Sequence, residues 1–164
     1  MKYTYLLTCL VPLAASFRMY SLPKELVAMD DCDYPEQFTI QKLSTWTATG
    51  SNETSLGFTF SDQGTGITTA CQKNSTSAVV SKPGLTARYA CDDSMVQFIW
   101  QNSKLTVIET ACSASSGFEA AGSIAPALSC TSTNYTLAAG SGKQCTALNQ
   151  TLTASFTSLE PTPE

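Results

Sequence analysis

The groups in this chain that could carry chemistry are its cysteines, a few carboxylates and four Asn-x-Thr triplets. Of seven cysteines, Cys9 falls in the N-terminal apolar run, which leaves Cys32, Cys71, Cys91, Cys112, Cys130 and Cys145. An even set in an exported chain argues for three disulfides, because the secretory pathway is oxidising. Zinc is the rival chemistry. The chain has no Cys-x-x-Cys pair and no histidine to complete a site, so no metal is expected. Without histidine it also lacks the usual triad base and the side chain that titrates near neutral pH.

Acid–base catalysis would then fall to carboxylates. Asp92, Asp93, Glu109 and Glu119 are the candidates for a glycosidase-like pair, which needs two carboxyl groups held at a fixed separation. Their settings read as structural. Asp92-Asp93 is a solvated turn before a strand, Glu109 ends a strand near a cysteine, and Glu119 opens one. No catalytic residue is assigned and no enzyme is expected. The acidic run Asp30-Asp31-Cys32-Asp33 lacks the spacing of a calcium loop, and no cofactor is expected.

The triplets Asn52-Glu53-Thr54, Asn74-Ser75-Thr76, Asn134-Tyr135-Thr136 and Asn149-Gln150-Thr151 lie in predicted turns or at strand edges. There an N-glycan can attach without entering the core. Trp46 near a turn and Trp100 at a hairpin tip, with Tyr89 and Tyr135 nearby, are the candidates for a contact face. Aromatics at loop ends serve as interface anchors; packing in the core is the competing role.

The elements that must hold these groups are strands. Between Arg88 and Cys112, Val96, Phe98 and Trp100 fall on one face of a period-two pattern and Gln97 on the other. The break Gln101-Asn102-Ser103-Lys104 and the return from Leu105 to Thr110 complete a β-hairpin, with Cys91 just before it and Cys112 just after. Further strands are expected over Phe38–Trp46, around Leu56, Phe58 and Phe60, over Ile67–Cys71, Leu85–Cys91 and Phe118–Ile124, and over Leu152–Leu159. Lys73 to Pro83 reads as a polar loop. No window sustains a 3.6-residue apolar period. The expected fold is therefore all-β: a compact antiparallel barrel or sandwich of roughly seven to nine short strands, stapled by disulfides, with little or no helix.

Several cysteines follow a small residue at the close of a β-like run, as in Thr69-Ala70-Cys71 and Leu128-Ser129-Cys130, which suggests strand ends tied to strand ends. Six cysteines allow fifteen pairings, and sequence does not choose among them. Proximity favours Cys71–Cys91 and Cys130–Cys145, and Cys32–Cys112 is left by elimination.

Lys2, the apolar run Leu6 to Ala15 and the small residues Ala14-Ala15-Ser16 form a secretory signal over residues 1–16. The apolar run is about half the ~20 residues a membrane span needs. An N-terminal arm, 17–37, a single β-barrel domain, 38–160, and a polar tail, 161–164, follow. Net charge is −4, with 13% of residues charged. Such a surface repels nucleic acid and anionic membrane, so neither is an expected partner.

Ser55-Leu56-Gly57-Phe58-Thr59-Phe60, with Thr69-Ala70-Cys71, Arg88-Tyr89-Ala90-Cys91 and Met95-Val96-Gln97-Phe98, resembles the Alternaria major-allergen family of small secreted fungal β-barrels. The resemblance runs from about Phe38 to Phe156. It implies a compact antiparallel barrel, secretion by an ascomycete, and the two local disulfides. Members of that family are known as allergens and, in plant-associated fungi, as elicitors or effectors that contact host proteins; no enzymatic activity is established for the family as a whole. Its allergen dimerises through an unpaired N-terminal cysteine. Here Cys32 has a possible partner in Cys112, so a monomer is expected. The reading that follows is a secreted, non-enzymatic, effector- or allergen-like protein that binds a host or cell-wall protein. The alternative is a carbohydrate-binding or wall-associated module that stacks glycan on Trp46 or Trp100. A hydrolase using Glu109 with Asp92 or Asp93 ranks last.

Overall fold

The computed structural model describes residues 18–27, 32–112, 117–134 and 140–163. The expected signal segment, Cys9, Asp30, Asp31 and Tyr135 lie outside them. Among the described residues one helical turn, α1 (Lys24–Val27), precedes eleven strands. These are β1 (Gln37–Ala48), β2 (Thr54–Asp62), β3 (Thr68–Lys73), β4 (Tyr89–Ala90), β5 (Val96–Gln101), β6 (Lys104–Thr110), β7 (Phe118–Ile124), β8 (Leu128–Asn134), β9 (Ser141–Ala147), β10 (Thr151–Ser155) and β11 (Ser158–Pro161).

All pairings are antiparallel, and the fold is the expected all-β barrel-like sandwich, with eleven strands among the described residues where seven to nine were expected. One sheet runs β3-β2-β1-β9-β8, with β10 also on β1; the other runs β11-β7-β6-β5-β4. Strand β1 serves two partners in succession. Its first half pairs with β10 and its second with β9, and the change comes at a bulge where Lys42 adopts φ 55°. The extra residue reverses the side-chain phase. Phe38 and Ile40 face inward before the bulge, and Leu43 and Thr45 after it.

Three expected elements differ in detail. The run Leu85–Cys91 contributes only Tyr89–Ala90. Pro83 has no N–H to give a ladder, and the segment before Tyr89 bonds to itself through Leu85 N–H to Lys82 O (3.2 Å) and Val80 N–H to Arg88 O (2.9 Å). The run Leu152–Leu159 becomes two strands because the chain crosses between sheets there. Phe156 N–H donates to Glu36 O and Thr157 N–H to Ala121 O, at 3.0 and 2.8 Å. Cys71 and Cys130 lie inside β3 and β8, not at strand ends.

The disulfides close the seams. Cys71–Cys91 joins the two sheets, helped by Asp92 N–H to Ala70 O at 2.9 Å. Cys130–Cys145 links directly opposed residues of β8 and β9. Cys32–Cys112 ties the N-terminal arm to the end of β6. The arm is packed as well as tied: Leu26 is buried, and the Tyr34 hydroxyl donates to its carbonyl at 2.5 Å. Between the sheets lie Phe38, Phe58, Phe60, Phe98 and Phe156, all buried, with ring centroids 4.9 Å apart for Phe38–Phe156 and 5.1 Å for Phe58–Phe98. Each such ring contributes roughly 2–3 kcal/mol through burial.

Candidate binding groove at the mouth of the barrel

Following the inward-facing positions along each strand, the apolar core gives way to polar groups at one end. In β1, Phe38, Ile40 and Leu43 are succeeded by Thr45 and Thr47; in β2, Phe60, Phe58 and Leu56 lead back to Thr54. In β3, Lys73 follows Cys71, and in β9, Lys143 stands two residues before Cys145. The facing sheet supplies Val96, Phe98 and finally Trp100 from β5, with Tyr89 beside Phe98 on β4 at a ring separation of 5.8 Å. Hydroxyls and cations in these positions line a mouth between the two sheets.

Trp100, half-buried, divides that mouth into two clefts. The larger, about 610 Å³, runs past Tyr89, Lys73, Glu53 and Asn102, with Asn52 and Asn74 along its rim. The smaller, about 420 Å³, runs past Thr45, Thr47, Lys143 and the Cys130–Cys145 bridge. Lys73 is held across the larger cleft: its Nζ donates to Thr54 O at 3.0 Å and stands 5.3 Å above the Tyr89 ring. The Thr47 and Thr54 hydroxyls share a hydrogen bond of 2.8 Å. Next to Tyr89, Arg88 Nη1 donates to Glu119 Oε2 at 2.7 Å, a largely buried ion pair that fixes the short strand β4. The Trp100 hairpin turns on Asn102 and Ser103, both with positive φ (53° and 58°), which makes a tight two-residue loop. The groove thus has an aromatic floor and a rim of hydroxyl and amide groups, a combination suited to holding a ligand by stacking and hydrogen bonds.

The structure brings Trp100 and Tyr89 together but not Trp46. The bulge at Lys42 puts Trp46 on the outer face of the sheet, where its indole lies over Gly142. Without the bulge it would share the inward face with Phe38 and Ile40. Asn52, Asn74 and Asn149 are exposed; Asn134 ends β8, and its side chain lies outside the described part of the molecule. Asn149 sits at the β9–β10 turn, apart from the groove.

At the far end of the barrel stand the carboxylates. Glu109, inward on β6, has no exposed surface, and neither of its oxygens finds a hydrogen-bond partner among the described residues. Burial pushes its pKa up to about 8; the neighbouring Thr65 hydroxyl opposes this, and the charges of Asp62 and Asp93 add to it. Asp62, inward at the end of β2, is also raised by burial, although one oxygen accepts from Gly64 N–H (2.7 Å) and Thr65 N–H (3.4 Å). Tyr20 of the arm stands near both, its pKa raised to about 12 chiefly by burial. Glu109 is thus enclosed by protein, with no surface open to a polymer substrate. Glu119 is engaged with Arg88. Sequence reasoning placed Glu109 at a strand end and missed its enclosure; the alternation Leu105, Val107, Glu109 was the available signal.

No protein-family model matches this chain, and no curated protein matches it. Two crystal structures of the Alternaria alternata major allergen Alt a 1 are similar in fold. One superposes with a TM-score of 0.53 at 15% identity, covering 78% of this chain and 95% of the allergen. The other gives a TM-score of 0.54 at 16% identity, covering 80% and 91%. The chain therefore has the fold of that fungal allergen.

Proposed function

We propose that this protein is an extracellular, non-enzymatic binding protein of the allergen and effector type, and that its contact surface is the mouth of the barrel around Trp100 and Tyr89. Trp100 carries the reading: a large aromatic on a hairpin tip, half-exposed between two clefts, is the kind of group that anchors an interface. Likeness to Alt a 1 supports the allergen-like part, and three disulfides suit an oxidising compartment outside the cell. All six cysteines of the described residues are paired within the chain, so Cys32 offers no thiol for a covalent dimer, which supports a monomer as the working state. The partner is a host or cell-wall protein.

A second reading is favoured by the hydroxyl and amide rim of the same groove. A neutral glycan could stack on Trp100 and bond to that rim, as in a carbohydrate-binding module. The two separate in one experiment: the secreted protein and its Trp100→Ala and Tyr89→Ala variants are tested on host extracellular proteins and on a glycan array. The first reading expects a protein captured by wild type and lost, roughly tenfold or more in affinity, by Trp100→Ala, with no glycan signal. Retention on glycans alone selects the second, and binding indifferent to both substitutions moves the contact surface elsewhere.

A further inference from the structure

We infer that Asn52 and Asn74 are paired glycosylation sites whose sugars stand along one lip of the Trp100–Tyr89 groove and shield it. Asn52 lies in the β1–β2 turn and Asn74 in the turn after β3. Both are exposed, and both line the cleft of about 610 Å³ that Tyr89, Trp100 and the Asn102–Ser103 turn also line. The Asn74 side chain is set for attachment. Its Oδ1 accepts from Thr76 N–H (2.9 Å), Thr76 Oγ1 (2.7 Å) and Ser77 Oγ (3.3 Å), which leaves Nδ2, the atom that carries an N-glycan, outside those bonds. Attachment draws on a lipid-diphosphate-linked oligosaccharide of the secretory pathway. The Nδ2–C1 bond forms as the sugar's C1–O bond to the diphosphate breaks, and the amide loses one proton.

An N-linked sugar at either position begins at the edge of the aromatic floor. Its apolar ring face suits Trp100 and Tyr89, and its hydroxyls suit the rim already lining the cleft. The glycans therefore lie across the groove and gate what enters it. Asn149 serves as the internal control, being a triplet of the same kind away from the groove. Shielding as such stands apart from any partner; its consequence for binding rests on the groove being the contact surface.

The test uses the full chain secreted from a glycosylating host, before and after native removal of N-glycans with a peptide N-glycosidase. Glycopeptide mass spectrometry reads occupancy, and hydroxyl-radical footprinting reads the oxidation rate of Trp100 and Tyr89 against Tyr34 of the N-terminal arm in the same sample. Occupancy is expected at both sites, with Trp100 and Tyr89 oxidised severalfold faster once the sugars are gone. Asn149→Gln leaves those rates unchanged, and Asn52→Gln with Asn74→Gln matches the deglycosylated protein. Empty sites, or rates indifferent to deglycosylation, overturn the inference. Exposure of Trp100 on deglycosylation with no partner bound in either form would keep the gate and sink the groove as a contact surface. Trp100-dependent binding with unchanged oxidation would do the reverse.

Discussion

Asp62 and Glu109 reach into the barrel from opposite sheets, and three of their four carboxylate oxygens are buried without a hydrogen-bond partner among the described residues. A carboxylate in such a setting is tolerated as the neutral acid. In the folded protein Glu109 titrates at about 8, against about 4.5 when unfolded, so between these values the native state binds the extra proton. Stability is therefore full below about pH 4.5 as far as this group is concerned, and is lost as pH rises towards 8. Asp62 is shifted in the same direction. The loss is on the order of a few kcal/mol. Thermal unfolding followed by circular dichroism from pH 5 to 9 should show melting falling with pH. Glu109→Gln should flatten the profile and melt above wild type at pH 8 to 9; a wild-type profile already flat would refute the assignment.

The disulfides differ in the length of chain they close: 80 residues for Cys32–Cys112, 20 for Cys71–Cys91 and 15 for Cys130–Cys145. Loop-closure entropy then ranks them. Removing the first as a Cys→Ala pair should cost about 4–5 kcal/mol, and each of the others about 3 kcal/mol. Guanidinium unfolding midpoints of the three double variants provide the comparison, and the first variant should unfold at the lowest denaturant concentration.

Two strand glycines should respond oppositely to alanine. At Gly122 on β7 an added Cβ would lie 2.6 Å from both the Phe38 ring and the Ser155 carbonyl, at the seam where the chain changes sheets. At Gly57 on β2 it would meet nothing within 4 Å. Gly122→Ala should cost about 1–3 kcal/mol through overpacking, whereas Gly57→Ala should be neutral or slightly stabilising. Paired chemical denaturation measures both.

At the tip of the Trp100 hairpin, Ser103 holds φ 58°. A left-handed conformation costs a non-glycine residue about 1 kcal/mol, and an Asn-Gly turn would carry it without strain. Ser103→Gly should therefore stabilise the fold by about 0.5–1 kcal/mol, read as a raised melting temperature, with Trp100 emission unchanged.

Much of the fold was legible in local pattern. The alternation of Phe38 with Ile40, of Leu56, Phe58 and Phe60, and of Val96, Phe98 and Trp100 identified three core strands with the correct inward face, because a pleated strand repeats every two residues. The pattern failed where a long-range contact decided the outcome. Phe156 and Thr157 alternate like their neighbours, yet hydrogen bonds to Glu36 and Ala121 break the run there. Leu85 is apolar, but its loop bonds to itself and leaves it half-exposed.

The candidate site divides the same way. Trp100 and Tyr89 were recognisable as aromatics near turns. That they share one groove with Asn52 and Asn74 follows from packing the β1–β2 turn beside the β5–β6 hairpin, which no local signal encodes. A single bulged residue at Lys42 sends Trp46 to the opposite face from the one its parity with Phe38 would imply.

By itself, then, the sequence determined a strand-built, histidine-free, weakly charged chain with cysteines available for three cross-links. Those properties depend on composition and on neighbours two residues apart. Only the tertiary structure decided which cysteines meet, which carboxylates are sealed from water, and which aromatics and asparagines stand around one opening. Each of those outcomes depends on residues far apart in the chain, brought together by the register of two sheets.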